Sequence, residues 1–422
     1  MLFIFLGAII CATGFTQNEE EKENTFSIGI QQRSRAELRA GAYNPLANDD
    51  EIAALINNRS RITMEYKREK LSLSLSAQHV GVWGQDTQNP TDGRAMFNEA
   101  WTNLMPVKGL FLKIGRQSLI YDDERLLGGL DWHVSGRYHD ALKMGYENEK
   151  NKVHLILAFN QDKDRLAASS GTYYSSAGQP YKIMHTAWYQ LNPNEVFNIS
   201  FLAMNLGFQT GVVGTAKMKY MQTVGTNLSI KPGDFQLYGN FYLQTGKTKK
   251  DKNIAAFMWT VNASFKLSNA VKLTAGSDYL SGDNKKTPKY EAFDVLYGTH
   301  HKYYGNMDYY YPNDFSYGLW DNQIGVSVKT SSKFNFSVIC HIFQSTTDIK
   351  TDKKDNDRFL GQELDFQLAW NIMKDVTLSG GYSAMLISDA VKVVKNKPNA
   401  ADLQDWMWVS LNINPKVFIS KW

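Results

Sequence analysis

The 422-residue sequence predicts an all-β fold: a transmembrane antiparallel β-barrel of eighteen strands, with short periplasmic turns and long extracellular loops. Three observations lead there. Segments of roughly a dozen residues, the length a tilted strand needs to cross a bilayer, alternate apolar and polar side chains along almost the whole chain. The connections between them alternate strictly between a few residues and longer polar stretches. Mean hydropathy is -0.39 while 13% of the residues are aromatic, too polar for a helical membrane protein and unusually aromatic for a soluble one.

The chain opens with an apolar run, Leu2 to Phe15, followed by an acidic stretch from Gln17 to Asn24. That run has the length of a signal-peptide core and is too short to span a membrane as a helix. Residues 1–16 therefore read as a cleaved secretory signal, 17–25 as a short periplasmic segment and 26–422 as the barrel. No Lys or Arg precedes the run, and the bulky Ile10 before Cys11 argues against a lipid anchor. With Cys11 removed, Cys340 stands alone, so ring closure and not a disulfide framework must hold the fold.

Strands are expected at 26–40, 52–68, 71–83, 97–106, 110–118 and 137–147. They continue at 152–161, 181–191, 195–206, 217–230, 234–245 and 254–267, and then at 271–281, 319–330, 334–346, 359–371, 376–387 and 404–413. The run Phe235 to Gln244 shows the period of two best, with Phe235, Leu237, Phe241 and Leu243 on one face and Gln236, Asn240 and Gln244 on the other. Short turns such as Glu69-Lys70, Lys108-Gly109, Lys231 to Gly233 and Lys374-Asp375 fall at every second connection. An even strand number then puts both termini in the periplasm and makes residues 282–318 the longest external loop. Pro415 interrupts the strand that leads to the terminal Trp422. A secreted sandwich or β-helix would alternate in the same way, its apolar face turned inward.

With the apolar face toward lipid, the opposite parity lines the lumen, and it is basic early in the chain. Arg33, Arg35 and Arg39 share the first strand's inner face with Gln31 and Glu37. Arg59, Arg61 and Lys67 share the second strand's with Thr63 and Glu65, and the sixth strand adds Arg137 and Lys143. Same-side guanidiniums between low-dielectric walls concentrate anions, unless the carboxylates neutralise them as a cross-strand mesh. The net charge of +4 is small and not gathered into a tail, so no nucleic-acid partner is expected.

A second charged constellation occupies the third external loop and its flanks, from Gly115 to Arg137. A loop of this length can fold into the channel as a constriction, its carboxylates orienting the arginines. Within it, Gly115-Arg-Gln, Tyr121-Asp-Asp-Glu-Arg-Leu-Leu-Gly128, Asp131-Trp132 and Gly136-Arg137 with Asp140 resemble the signature of the alginate export family. Asn98 to Trp101 resembles the strand before it. Asp278 to Asp283, Phe293 to His301 and Tyr303 to Asp308 are similar to a second block of that family. The resemblance implies a monomeric eighteen-stranded barrel conducting an anionic polyuronate through an Arg/Lys-lined pore. It gives a constriction role to Arg116, Arg125 and Arg137, with Asp123, Glu124 and Asp131 as partners and Trp132 beside them. Arg116 shares parity with Leu112 and Ile114, so it reaches the lumen only if its strand bends.

No nucleophile, zinc or phosphate-loop motif occurs, and His300-His301 with Asp308 is the one cluster that hints at metal or acid–base chemistry. Tyr303, Tyr304, Tyr309, Tyr310 and Tyr311 suit either sugar stacking or an outer aromatic girdle. No catalytic group, metal or cofactor is expected. The expected partners are outer-membrane lipid and lipopolysaccharide, the barrel-assembly machinery, and an anionic saccharide or small anionic solute. Passive conduction of an alginate-like polyuronate leads the functional readings, ahead of a general anion-preferring porin and a non-conducting adhesin or receptor barrel.

Overall fold

The computed structural model describes residues 24–89, 93–162, 173–174, 178–310 and 315–422. The expected signal at 1–16, most of the periplasmic segment and Tyr311 lie outside the described residues. The strands begin with β1 (Thr25–Ala40), β2 (Ala53–Arg68), β3 (Leu71–Val82), β4 (Ala95–Leu104), β5 (Leu110–Gln117) and β6 (His139–Glu147). They continue with β7 (Asn151–Phe159), β8 (Ile183–Leu191), β9 (Phe197–Thr210), β10 (Lys217–Ile230), β11 (Phe235–Lys247) and β12 (Asn253–Lys266). The ring is completed by β13 (Val271–Leu280), β14 (Leu319–Lys329), β15 (Phe334–Ile349), β16 (Asp357–Met373), β17 (Val376–Ile387), β18 (Leu403–Ile413) and β19 (Lys416–Lys421). From β1 to β18 each strand is antiparallel to its sequence neighbours, and β1 pairs with β18, and with β19 beyond it, to close a barrel of eighteen staves.

All eighteen expected segments are strands, because a two-residue period leaves few other ways to bury one face. The outward face is the apolar one. Phe241 and Leu243 are 43% and 45% exposed, whereas Tyr242 and Gln244 between and beside them are each 2% exposed. This overturns the sandwich and β-helix alternatives, whose apolar faces would be inside. Cys340 sits on the same outward face, opposite Ile324 and Leu364.

Pro415 interrupts the last stave without ending it. Ile413 lies opposite Gln32 on β1 and Lys416 opposite Gly29, so β19 continues β18 along the same partner. Lacking an N–H, Pro415 contributes only its carbonyl, which accepts from the Ile30 amide at 3.0 Å. Beyond it Phe418 packs near Phe26, and Trp422 near Tyr66, at the periplasmic end of the closing seam.

Two external connections do not stay outside. Loop 3, residues 118–138 between β5 and β6, and the described parts of loop 7, residues 281–310 and 315–318 between β13 and β14, both turn into the lumen and pair with each other. The Gly128 amide donates to the Tyr297 carbonyl (2.9 Å), the Tyr297 amide to Leu126 (3.0 Å) and the Thr299 amide to Glu124 (2.8 Å). Gly298 is needed here because a Cβ at that position would lie 2.2 Å from the Arg125 carbonyl oxygen. Around this junction Leu119, Leu126, Leu127, Val295, Met307 and Tyr309 form a buried apolar cluster inside the barrel. Backbone that enters a lumen must bring its own partners, and the two loops supply them to each other.

Candidate functional site

The inner face of β1 and β2 is an arginine wall, and loop 3 is held against it. Arg59, fully buried, donates to Asp131 Oδ1 (2.5 Å) and to the carbonyls of Asp131 (3.1 Å), His133 (2.7 Å) and Val134 (2.6 Å). Arg33 pairs with the other Asp131 oxygen at 3.1 Å. Arg35 donates to the Trp132 carbonyl (2.9 Å) and lies 3.7 Å over the Trp132 ring. Glu37 bridges Arg35 and Arg39, both at 2.9 Å, and accepts from Trp406 Nε1 at 3.2 Å. Burial alone would raise the Asp131 carboxyl, but Arg59 and Arg33 outweigh it and hold the group below the ordinary carboxylate range. Its side chain remains 73% exposed, facing a cavity of about 380 Å³ on the periplasmic side of loop 3. Arg61 lines that cavity, its guanidinium bonded to the Gln78 amide oxygen at 2.9 and 2.7 Å.

The other end of loop 3 is anchored elsewhere on the ring. Asp122 accepts from Ser200 Oγ (2.6 Å) and Trp188 Nε1 (3.1 Å) on β9 and β8, and burial pushes its carboxyl up despite those donors. Arg125, buried, pairs with Asp123 and with Asp278 of β13, each at 2.8 Å, donates to the Tyr304 hydroxyl and stacks 3.7 Å over Tyr303. Asp123 also accepts from Asn240 at 3.1 Å. Glu124 binds Thr299 Oγ1 (2.9 Å) and Lys302 (3.3 Å), which ties it to loop 7 and not to an arginine.

Loop 7 meets an acidic wall. Glu363 and Asp365 of β16 accept from the backbone amides of Met307 (2.8 Å) and Asn306 (3.2 Å). His341 of β15 lies between Asp321 (2.9 Å) and Asp365 (3.5 Å). None of these wall residues was singled out from sequence. Their signal was present, since Glu363 and Asp365 alternate with the outward Leu364 and Phe366 as the arginines alternate on β1.

Several expected positions need correction. Arg116 does not reach the lumen: Gln117 beside it is fully buried while Arg116 shares the outward face with Ile114, since β5 keeps its register through Gly115. There it makes a bidentate pair with Asp140 at 2.9 and 3.0 Å. Arg137 precedes β6, and from loop 3 it donates to the Gly298 carbonyl at 2.6 Å. Lys143 faces inward on β6, 5.3 Å from the Tyr121 ring, and Lys67 is exposed near the periplasmic rim. Trp132 is covered on one face by Arg35 and stacks on His301 at 4.0 Å, with Trp406 and Trp408 edge-on at 5.6 and 4.9 Å. Tyr304, Tyr309 and Tyr310 are neither girdle nor open stacking platform, being buried in the loop core. His301 pairs with Asp308 at 2.8 Å, and among the described residues no three His, Cys, Asp or Glu side chains are placed to hold a metal ion.

The barrel is similar in fold to solved outer-membrane proteins. It matches the outer membrane protein opdK from Pseudomonas aeruginosa with a TM-score of 0.60 at 10% identity, over 94% of this chain and 99% of that one. OccAB4 from Acinetobacter baumannii matches with a TM-score of 0.62 at 10% identity, over 94% and 99%. OpdL from Pseudomonas aeruginosa matches with 0.62 at 11% identity, over 93% and 99%. A comparison with curated protein sequences finds no match. A family model described as Alginate export covers residues 16–402. With its closed porin-like ring and outward apolar face, the protein is an outer-membrane channel of a Gram-negative cell, and it belongs to the alginate export family.

Proposed function

We propose that the channel conducts anionic solutes by passive diffusion, with uronate-rich oligo- or polysaccharide as its principal class. The observation that supports this reading is Arg61. It lines the cavity on the periplasmic side of loop 3 with a neutral amide as its side-chain partner, next to two guanidiniums, Arg33 and Arg59, that share the single carboxylate of Asp131. A guanidinium held by an amide keeps its charge available, and low-dielectric walls focus it on a passing anion. Lys67 extends the basic strip along β2 and Lys143 adds an inward cation on β6, while Arg35, Arg39 and Arg125, with Asp123, Glu124 and Trp132, shape the narrow part of the path.

A second reading, a porin for small anions, is favoured by the apolar loop core, which fills lumen that a polymer would need. Reversal potentials in a potassium chloride gradient test both. The wild-type protein is expected to prefer chloride, and Arg61→Gln to lower the chloride-to-potassium permeability ratio by about twofold or more. Cation preference, or a ratio unmoved by Arg61→Gln, overturns the proposal. Block of the current by a galacturonate tetramer and not by maltotetraose selects saccharide over small-anion conduction.

A further inference from the structure

A larger cavity, about 760 Å³, opens on the external side, between loop 7 and loop 6, residues 248–252 between β11 and β12. Lys249, Lys250 and Lys252 of loop 6 and Lys285 of loop 7 line it, and all four are exposed. None has a carboxylate within ion-pair distance among the described residues. Asp251, the acid of loop 6, is occupied by Lys219 (2.6 Å) and Lys247 (2.8 Å). Two acids enter the wall, and each is turned toward backbone of its own loop. Asp283 accepts from the Lys285 amide at 3.0 Å, and Asp294 from the Leu296 amide at 2.8 Å. Burial pushes the Asp294 carboxyl above its ordinary range, against the pull of that amide and of Lys249. Beneath the lysines the floor is apolar and aromatic: Phe208, Ile254, Tyr290 and Phe293. The Lys249 ammonium sits 5.2 Å from the Phe208 ring, above that floor.

The combination restricts the ligand. Inorganic phosphate is compact and strongly hydrated, so it gains nothing from the aromatic floor. A neutral sugar can accept hydrogen bonds from the ammonium groups but carries no charge to meet theirs. A ring with an apolar face and a carboxylate on its edge uses both. The arginine wall offers no such place, since its guanidiniums are largely taken by loop 3 and Glu37.

We infer that this external cavity is a capture site for a ring-borne carboxylate, the chemistry that a uronate sugar and an aromatic acid share. It gives the solute a first stop outside the barrel and rests on the anion-channel reading for its place in transport. Isothermal titration of the full-length protein in detergent micelles at low salt tests it with three probes: a galacturonate tetramer, 4-hydroxybenzoate and inorganic phosphate. At least one ring carboxylate is expected to bind more tightly than phosphate. The combined Lys249→Gln, Lys250→Gln, Lys252→Gln variant is expected to weaken that binding about tenfold. A control with Lys333→Gln and Lys374→Gln, in periplasmic turns, should bind as wild type. Which ring carboxylate binds identifies the source. Phosphate binding as tight as the tighter of the two ring carboxylates, a triple variant that binds as wild type, or no binding of either ring carboxylate overturns the inference. Lost capture with chloride preference intact condemns the capture site alone, and capture with a cation-preferring pore condemns the channel reading alone.

Discussion

Strands β1 and β2 face the lumen with arginines, whereas β13, β14 and β16 face it with carboxylates; the first wall holds loop 3, and the second holds loop 7 together with Arg125 of loop 3. The arginine wall meets a run of loop 3 that offers carbonyl oxygens and the Asp131 carboxylate, all acceptors. The acidic wall meets the tip of loop 7, which offers backbone N–H groups, and the Arg125 guanidinium of loop 3, all donors. Wall charge is thus matched to the polarity of the backbone it secures. A tally of lumen arginines therefore overstates the field a solute meets, because most of that charge positions loops and only the remainder reaches the pathway.

The largest test of this contrast is on the acidic side. Asp278 and Arg125 are both buried, so Asp278→Ala strands a guanidinium with Asp123 alone and is expected to cost about 3 to 5 kcal/mol. The urea midpoint of the barrel in micelles should fall accordingly, and an unchanged midpoint would show that this wall does not bear loop 3 through Arg125. On the basic side the effect is smaller, because Asp131 is largely open on its cavity side: Asp131→Ala is expected to cost about 1 to 3 kcal/mol. It should also raise chloride preference, opposite in sign to Arg61→Gln; a fall in chloride preference would mean Asp131 is not the neutralising group.

Acidity separates the two loops with the smallest effect. The depressed Asp131 carboxyl contributes stability above the ordinary carboxylate range and loses it only as pH falls through that range, so the loop 3 latch should be indifferent from about pH 8 to 5. Asp122, raised by burial, acts in the opposite sense and firms loop 3 slightly as pH falls. His300 of loop 7 is held at about 3 by burial and the nearby Arg137, below its unfolded value of 6.5. The unfolded state therefore takes the proton first, and loop 7 should weaken from about pH 6.5 downward. Amide exchange of the two loops, normalised to intrinsic rates, checks the order; loop 3 loosening before loop 7 would contradict it.

The staves were legible because each depends on its own residues: alternation in Phe235 to Gln244 is decided locally, and lipid selects the face. Position along the strand was legible for Arg33, Arg35, Arg39, Arg59 and Arg61 on the same grounds. Their partners were not, since Asp131 comes from a loop far along the chain and no periodicity reports a loop's path. Arg116 marks the same boundary from the other side. Its motif suggested a pore residue, yet parity, which placed it outward, was the better guide. The acidic wall obeys the rule that exposes the basic one, Glu363 and Asp365 alternating with the outward Leu364 and Phe366, but a period shows which side a charge faces and not which loop it will bind.

Loop 3 packs Trp132 against Trp406 and Trp408, and the Tyr309 hydroxyl of loop 7 donates to the Gly41 carbonyl beside the end of β1. The tryptophans belong to the last long strand of the chain, which has to find the first one across the whole sequence before the ring exists. Neither loop can therefore finish docking until the seam has shut. The narrow part of the lumen thus includes contacts that exist only once the ring is closed.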